Sequence, residues 1–177
     1  MNIGMGELRD YPLSDSDIRK ILGSDIKIIT YPELSQMKDI SQCFDSKGRC
    51  ILLYLTQSET AGHWVCLLNK PDGIHYFDPY GEAPEKAKKG ADPELLEKTD
   101  QDIPRLLQLM KASGRPVYYN THDYQQDNPS VNTCGRWCCV RCLYAPYSDK
   151  EFYNVVKSSG MTGDNFVSAL TANWIKK

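Results

Sequence analysis

The sequence predicts one α+β domain in which a mixed β-sheet packs between helices. Its 177 residues, 41% of them hydrophobic, suit a soluble domain with a single core. A central group of apolar, β-branched segments is typical of strands. Amphipathic segments on both sides of that group indicate helices. We therefore expect residues 1–177 to form one domain.

Each element rests on a local signal. Ser14 precedes two acidic residues and is typical of a helix N-cap. The Pro-Asp-Gly sequence within 69–73 predicts a turn that joins two strands into a hairpin. The charged segment 82–102 is expected to be a mobile surface excursion. The predicted helices are at 14–22, 103–111, 134–145, 149–158 and 164–175, and the predicted strands are at 26–31, 50–56, 63–68, 74–78 and 117–119.

Charge and cysteine content restrict the function. A net charge of −2 and a pI of about 5.9 provide no general attraction to nucleic acid or anionic membranes. The longest apolar run, 50–55, is too short to span a bilayer, and no signal peptide is apparent. We therefore expect an intracellular protein with reduced thiols. Its seven cysteines must then serve as core residues, metal ligands or a catalyst.

Cys134 has the sequence context of a nucleophile. It follows a polar loop and begins a predicted helix. The partial positive charge and unpaired N–H groups of a helix start favour a thiolate over a thiol. Gly135, directly after it, would let a substrate backbone approach closely.

A base and an orienting acid are predicted from the hairpin. His63 begins one of its strands and Asp78 ends the other. Because these ends are neighbours in an antiparallel pair, the two side chains should be within reach of each other. Of the other two histidines, His75 is expected to face outward from its strand, and His122 lies in a loop as a minor candidate. An acid that orients the imidazole completes a nucleophile-activating arrangement.

An oxyanion donor is expected in the loop before Cys134. Gln126 and Gln125 lie eight and nine residues upstream, so an amide from either side chain could join the Cys134 N–H group. Taken alone, these glutamines are equally consistent with an ordinary polar loop.

Taken together, the motifs at 62–64, 76–81 and 126–135 have a characteristic order: Gly-His-Trp, Tyr-Phe-Asp-Pro-Tyr-Gly, then Gln followed by Asn-Thr-Cys-Gly. This order resembles the ubiquitin-like-protease clan of cysteine peptidases, which includes adenovirus-type maturation proteases and SUMO-specific proteases. The resemblance covers a little under half of the chain.

The resemblance implies a role for each matching residue. His63 would be the general base, Asp78 its orienting acid, Cys134 the nucleophile and Gln126 the oxyanion donor, while Trp64 would form an aromatic wall beside the imidazole. The family usually has its glutamine six or seven residues before the cysteine, where this chain has Asn128 and Asp127. Gln125 and Asn128 therefore remain alternatives to Gln126.

Competing interpretations are weaker. Four cysteines within 134–142 invite a zinc site, but on one helix they cannot converge tetrahedrally. A chymotrypsin-like cysteine protease would continue in strands after its cysteine, whereas helices are predicted here. A papain-like enzyme would have its cysteine first. A non-catalytic binding module would leave the three placed reactive groups as coincidence.

The sequence thus predicts a cysteine endopeptidase that needs no cofactor or metal. The resemblance implies cleavage at Gly-containing sites. Within the family that it resembles, the short length favours a viral enzyme that cleaves capsid or core precursors; the alternative is removal of ubiquitin-like modifiers. The substrate-binding residues would be Trp64 and Gly135. We expect a monomer without an obligatory nucleic-acid or membrane partner, located in the virion or at cytoplasmic assembly sites.

Overall fold

The computed structural model describes residues 4–175. It contains helices and strands in both halves of this range. The helices are α1 (Met5–Asp10), α2 (Asp15–Leu22), α3 (Pro93–Lys98), α4 (Arg105–Ala112), α5 (Cys134–Leu143), α6 (Asp149–Ser158) and α7 (Gly163–Ile175). The strands are β1 (Lys27–Thr30), β2 (Arg49–Tyr54), β3 (His63–Lys70), β4 (Gly73–Phe77) and β5 (Val117–Tyr119).

The five strands form one mixed sheet in the order β1-β2-β3-β4-β5. The outer pairs, β1 with β2 and β4 with β5, are parallel, and the inner pairs are antiparallel. In the β3–β4 hairpin, Cys66 is opposite Phe77. The first residues of β3 therefore lie beside the chain that leaves β4.

Both faces of the sheet are covered, because every residue of β2 is buried. Alternate side chains of this strand enter two separate apolar clusters. Ile51 and Leu53 pack with residues of α2, α5, α6 and α7. Leu52 and Tyr54 pack with residues of α4 and of the 3-10 helices Tyr31–Gln36 and Ile40–Cys43. The predicted α+β fold, a mixed sheet packed between helices, is confirmed.

The predicted hairpin and the helix cap are also confirmed. The β3–β4 pair is joined by a short turn, and the Ser14 hydroxyl accepts a hydrogen bond from the N–H of Asp17 at 3.1 Å. Helix α1 was not predicted, because a six-residue element leaves too short a hydrophobic pattern to detect.

The segment 82–102, predicted to be a mobile surface excursion, contains two helical elements. It contains a 3-10 helix, Lys86–Lys88, and α3. Asp92 caps α3 and Pro93 occupies its first turn, a combination that starts a helix without an apolar pattern. Gln101 anchors the end of the segment, since its amide exchanges hydrogen bonds of 2.9 and 2.8 Å with the backbone of Leu55.

Across residues 4–175, no helix has the length and apolar character needed to cross a membrane.

Candidate active site

The open end of the β3–β4 hairpin brings His63 and Asp78 together. The His63 Nε2 and Asp78 Oδ1 atoms are 2.8 Å apart, and the two side chains are 13% and 1% exposed. The preceding residue, Gly62, lies against β2: a Cβ atom there would be 1.7 Å from the carbonyl oxygen of Tyr54. Only glycine therefore allows His63 to start the strand in this position.

Asp78 is held by its neighbours as well as by His63. Its Oδ1 atom also accepts a hydrogen bond from the N–H of Tyr80 at 2.8 Å. The side-chain amide of Asn120 bonds to both the N–H and the carbonyl oxygen of Asp78, at 2.9 and 2.7 Å. The carboxylate consequently has a fixed direction and can orient the imidazole.

Cys134 is the first residue of α5, and its sulfur is surrounded by donors. His63 and the backbone N–H groups of Trp64 and Gly135 lie close enough to the sulfur to lower its pKa. Because Nε2 of His63 is engaged by Asp78, Nδ1 is the nitrogen left for the sulfur. The Thr133 hydroxyl, which often caps a helix at this position, instead donates to Asp164 at 2.6 Å.

The electrostatics of this group favour an ion pair. Burial acts to raise the pKa of Cys134, but the hydrogen bond and charge of His63, with two backbone N–H groups, outweigh it and lower the pKa. Burial acts to lower the pKa of His63, but its contacts with Asp78 and Cys134 outweigh it and raise the pKa to about 10. Both shifts stabilise a thiolate beside an imidazolium.

The other thiols near α5 have raised pKa values, in contrast to Cys134. Cys66, Cys138 and Cys142 are buried, and all three have a raised pKa. Burial is the largest cause for Cys66 and for Cys138, whose pKa is raised to about 12, whereas contact with Cys66 is the largest cause for Cys142. Within the range 4–175, no group of three or more His, Cys, Asp and Glu side chains is arranged to hold a metal ion. These cysteines belong to the apolar core between the sheet and the helices.

Two cavities meet at Cys134. One, of about 520 Å³, is lined by His63, Asp78, Tyr80 and Gln125 together with charged residues from 82–89 and 123–127. The other, of about 800 Å³, has mainly apolar walls, which include Leu13, Ile28, Leu53, Leu55 and Trp64. The sulfur therefore lies at the junction of a polar and an apolar cleft.

Of the candidate oxyanion donors, Gln125 is the one that lines the polar cavity. Its side chain is buried, and its Nε2 group donates to the carbonyl oxygen of Val131 at 3.1 Å, which leaves one amide hydrogen free. Gln126 and Asn128 are exposed and do not line this cavity. The side chain of Asn128 instead accepts a bond from the N–H of Ser130.

Of the two predicted substrate-binding residues, Trp64 lines a cavity and Gly135 is buried. Trp64 lines the apolar cavity, and its indole N–H donates to the carbonyl oxygen of Leu13 at 3.1 Å. Gly135 is buried, and a Cβ atom there would lie 3.1 Å from Leu13 and 3.2 Å from Trp64. Its lack of a side chain lets these residues pack against the start of α5.

The remaining histidines lie away from Cys134. His75 forms a 2.8 Å contact with Asp72 at the turn end of the hairpin. His122 is exposed and packs edge-on against Tyr124 and Tyr153, with ring centroids 4.6 Å apart in each case. Neither lines the cavities that meet at the thiol.

Three residues at the site were missed in the sequence. Tyr80 stacks on the His63 ring with centroids 5.0 Å apart, and its place two residues after Asp78 was a usable signal. Asn120 and Asp164 act on Asp78 and Thr133 from 42 and 31 residues away. No local pattern identifies such long-range partners.

The comparisons with known proteins give a viral relative. The chain is 31% identical over 175 residues to the uncharacterized protein V9 of Sputnik virophage, covering 94% of this chain and 99% of that protein. The chain belongs to the family of this virophage protein. No protein-family model matches it. The similarity of this chain to ubiquitin-like proteases therefore stays a prediction from its motifs.

Proposed function

We propose that this protein is a cysteine endopeptidase with Cys134 as nucleophile, His63 as general base and acid, and Asp78 as the orienting acid. The observation that carries the proposal is the 2.8 Å His63–Asp78 contact beside a helix-start thiol whose pKa is lowered. A merely structural cysteine in a core has a raised pKa, as Cys138 does.

The proposed reaction begins with attack of the Cys134 thiolate on the carbonyl carbon of the scissile peptide bond. The negative charge that develops on the carbonyl oxygen would be stabilised by the Cys134 N–H and the free amide hydrogen of Gln125. The imidazolium of His63 then donates its proton to the leaving nitrogen as the C–N bond breaks. A water molecule, deprotonated by His63, hydrolyses the thioester and releases the acid product.

The two cavities would bind opposite sides of the scissile bond. Because His63 must reach the leaving nitrogen, the polar cavity that it lines suits the amine side of the substrate. The apolar cavity beside Trp64 then suits the acyl side. With a virophage relative, we propose viral structural precursors cleaved at Gly-containing sites as substrates.

The test compares two cysteines of the same helix. Wild type, Cys134→Ala and Cys138→Ala are incubated with Gly-containing fluorogenic peptides and, in parallel, with ubiquitin-like C-terminal conjugates. We expect cleavage of the peptides by wild type and Cys138→Ala and none by Cys134→Ala, with the folded circular dichroism spectrum kept.

Two results would change this proposal. Appreciable cleavage by Cys134→Ala would overturn the mechanism. Cleavage of the ubiquitin-like conjugates in preference to every peptide would replace the precursor substrates with a deconjugating activity.

A further inference from the structure

Asp164, at the start of α7, accepts hydrogen bonds from Gln126 and Thr133 in the loop before Cys134 and from Trp137 in α5. Its Oδ1 atom accepts hydrogen bonds from the Thr133 hydroxyl at 2.6 Å and the Trp137 indole N–H at 2.9 Å. Its Oδ2 atom accepts the backbone N–H of Gln126 at 3.0 Å. The carboxylate thus joins the loop that carries Gln125 to the residue directly before Cys134.

Burial makes these contacts strong. Asp164 is 5% exposed, and Thr133 and Trp137 are fully buried. Hydrogen bonds to a carboxylate are roughly twice as strong as neutral ones, and a buried carboxylate without partners is costly. The close approach of α7 is permitted by Gly163, where a Cβ atom would lie 2.8 Å from the Trp137 ring.

We propose that Asp164 is a positioning residue for the reaction, an inference that rests on the proposed peptidase function. Asp164 touches no substrate. It fixes the distance between the Gln125 amide and the Cys134 N–H group by holding Gln126 and Thr133, the chain neighbours of these two donors. An oxyanion hole works only when its donors are already in place.

The proposed role of Asp164 predicts different effects on two reactions of the Cys134 thiol. Peptide cleavage forms an oxyanion and needs both donors, whereas alkylation by iodoacetamide forms none. Loss of the Asp164 hydrogen bonds should therefore slow peptide cleavage without slowing alkylation. General damage to the fold would slow both.

The experiment uses Asp164→Asn, which keeps an acceptor for Thr133 and Trp137 but turns an NH₂ group toward the N–H of Gln126. Asp149→Asn is the matched control, since Asp149 lies in the first turn of α6 and contacts Arg141 at 3.5 Å. The readouts are kcat and KM for a cleaved peptide, the alkylation rate of Cys134, and amide hydrogen exchange over 125–133.

For Asp164→Asn we expect kcat to fall about tenfold, with KM and the alkylation rate within about twofold of wild type. Exchange over 125–133 should become at least about tenfold faster. Asp149→Asn should change none of these. If Asp164→Asn does not fold, Thr133→Val, which removes only the hydroxyl donor, must show the same separation of kcat from alkylation.

Unchanged exchange, or kcat and alkylation falling together, would overturn the positioning role. Failure of the proposed function is a different result. In that case wild type is alkylated but cleaves no peptide, and hydrogen exchange alone decides whether Asp164 fixes the loop.

Discussion

The β3–β4 hairpin carries two His–Asp pairs that look alike in isolation. His63–Asp78 at its open end and His75–Asp72 at its turn end have the same 2.8 Å contact through Nε2, and both histidine side chains are 13% exposed. Each imidazole also lies near a tyrosine ring, with centroids 5.0 Å apart for Tyr80 and 4.9 Å for Tyr118.

The pairs differ in what lies around the carboxylate and on the other side of the ring. The Asp78 side chain is 1% exposed, whereas that of Asp72 is 62% exposed. Only the first imidazole contacts a thiol, that of Cys134. A short His–Asp distance is therefore a poor indicator of function, and burial of the acid with a nucleophile in contact is a better one.

The largest expected difference between the pairs comes from removing each imidazole. His63→Ala should lower kcat/KM for peptide cleavage by on the order of 1,000-fold, because the base and the acid of the reaction are lost together. His75→Ala should change it by less than about twofold, since His75 lines neither of the cavities that meet at Cys134. Steady-state kinetics on both variants measures this, and comparable losses would remove the distinction between the pairs.

A smaller difference is expected when each acid becomes an amide. Asp78→Asn should lower kcat about 100-fold, because an amide neither stabilises the imidazolium nor selects its orientation as a carboxylate does. Asp72→Asn should leave kcat unchanged. The reverse ranking of the two variants would identify a different orienting acid.

The smallest difference concerns the tyrosine rings. Tyr80→Leu should lower kcat about twofold to tenfold, the range expected for the loss of one aromatic contact that restrains the imidazole. Tyr118→Leu, at an edge strand, should have wild-type kcat. Equal values for the two variants would show that stacking on His63 does not restrain the ring.

The sequence predicted that His63 and Asp78 lie close together, because a short turn fixes the pairing of the two strands. Once the turn at 69–73 is recognised, the positions of both ends of the hairpin follow. The position of Cys134 at a helix start was also predictable, since a polar loop followed by a helical pattern marks such a start.

The rest of the site depends on contacts that no local pattern encodes. The path of the 120–133 loop decides that Gln125 rather than its neighbour reaches the cavity, and this path is set by bonds to Pro79 and Asp164. The charged segment at 82–102 appeared to be a surface excursion, yet Glu82, Lys86 and Lys89 line the polar cavity. Charge alone does not distinguish a solvated segment from the wall of a cleft.

The central claim, a thiolate–imidazolium pair at Cys134, is tested most directly by the pH dependence of its alkylation. The pKa of Cys134 is lowered and that of His63 is raised to about 10, so the pair exists above the first value and below the second. The iodoacetamide rate in wild type should therefore reach its plateau at a lower pH than the rate in His63→Ala, which should show the rise of a free thiol near about pH 8.5. A wild-type rate that rises tenfold per pH unit up to about pH 8.5, as in His63→Ala, would contradict the account.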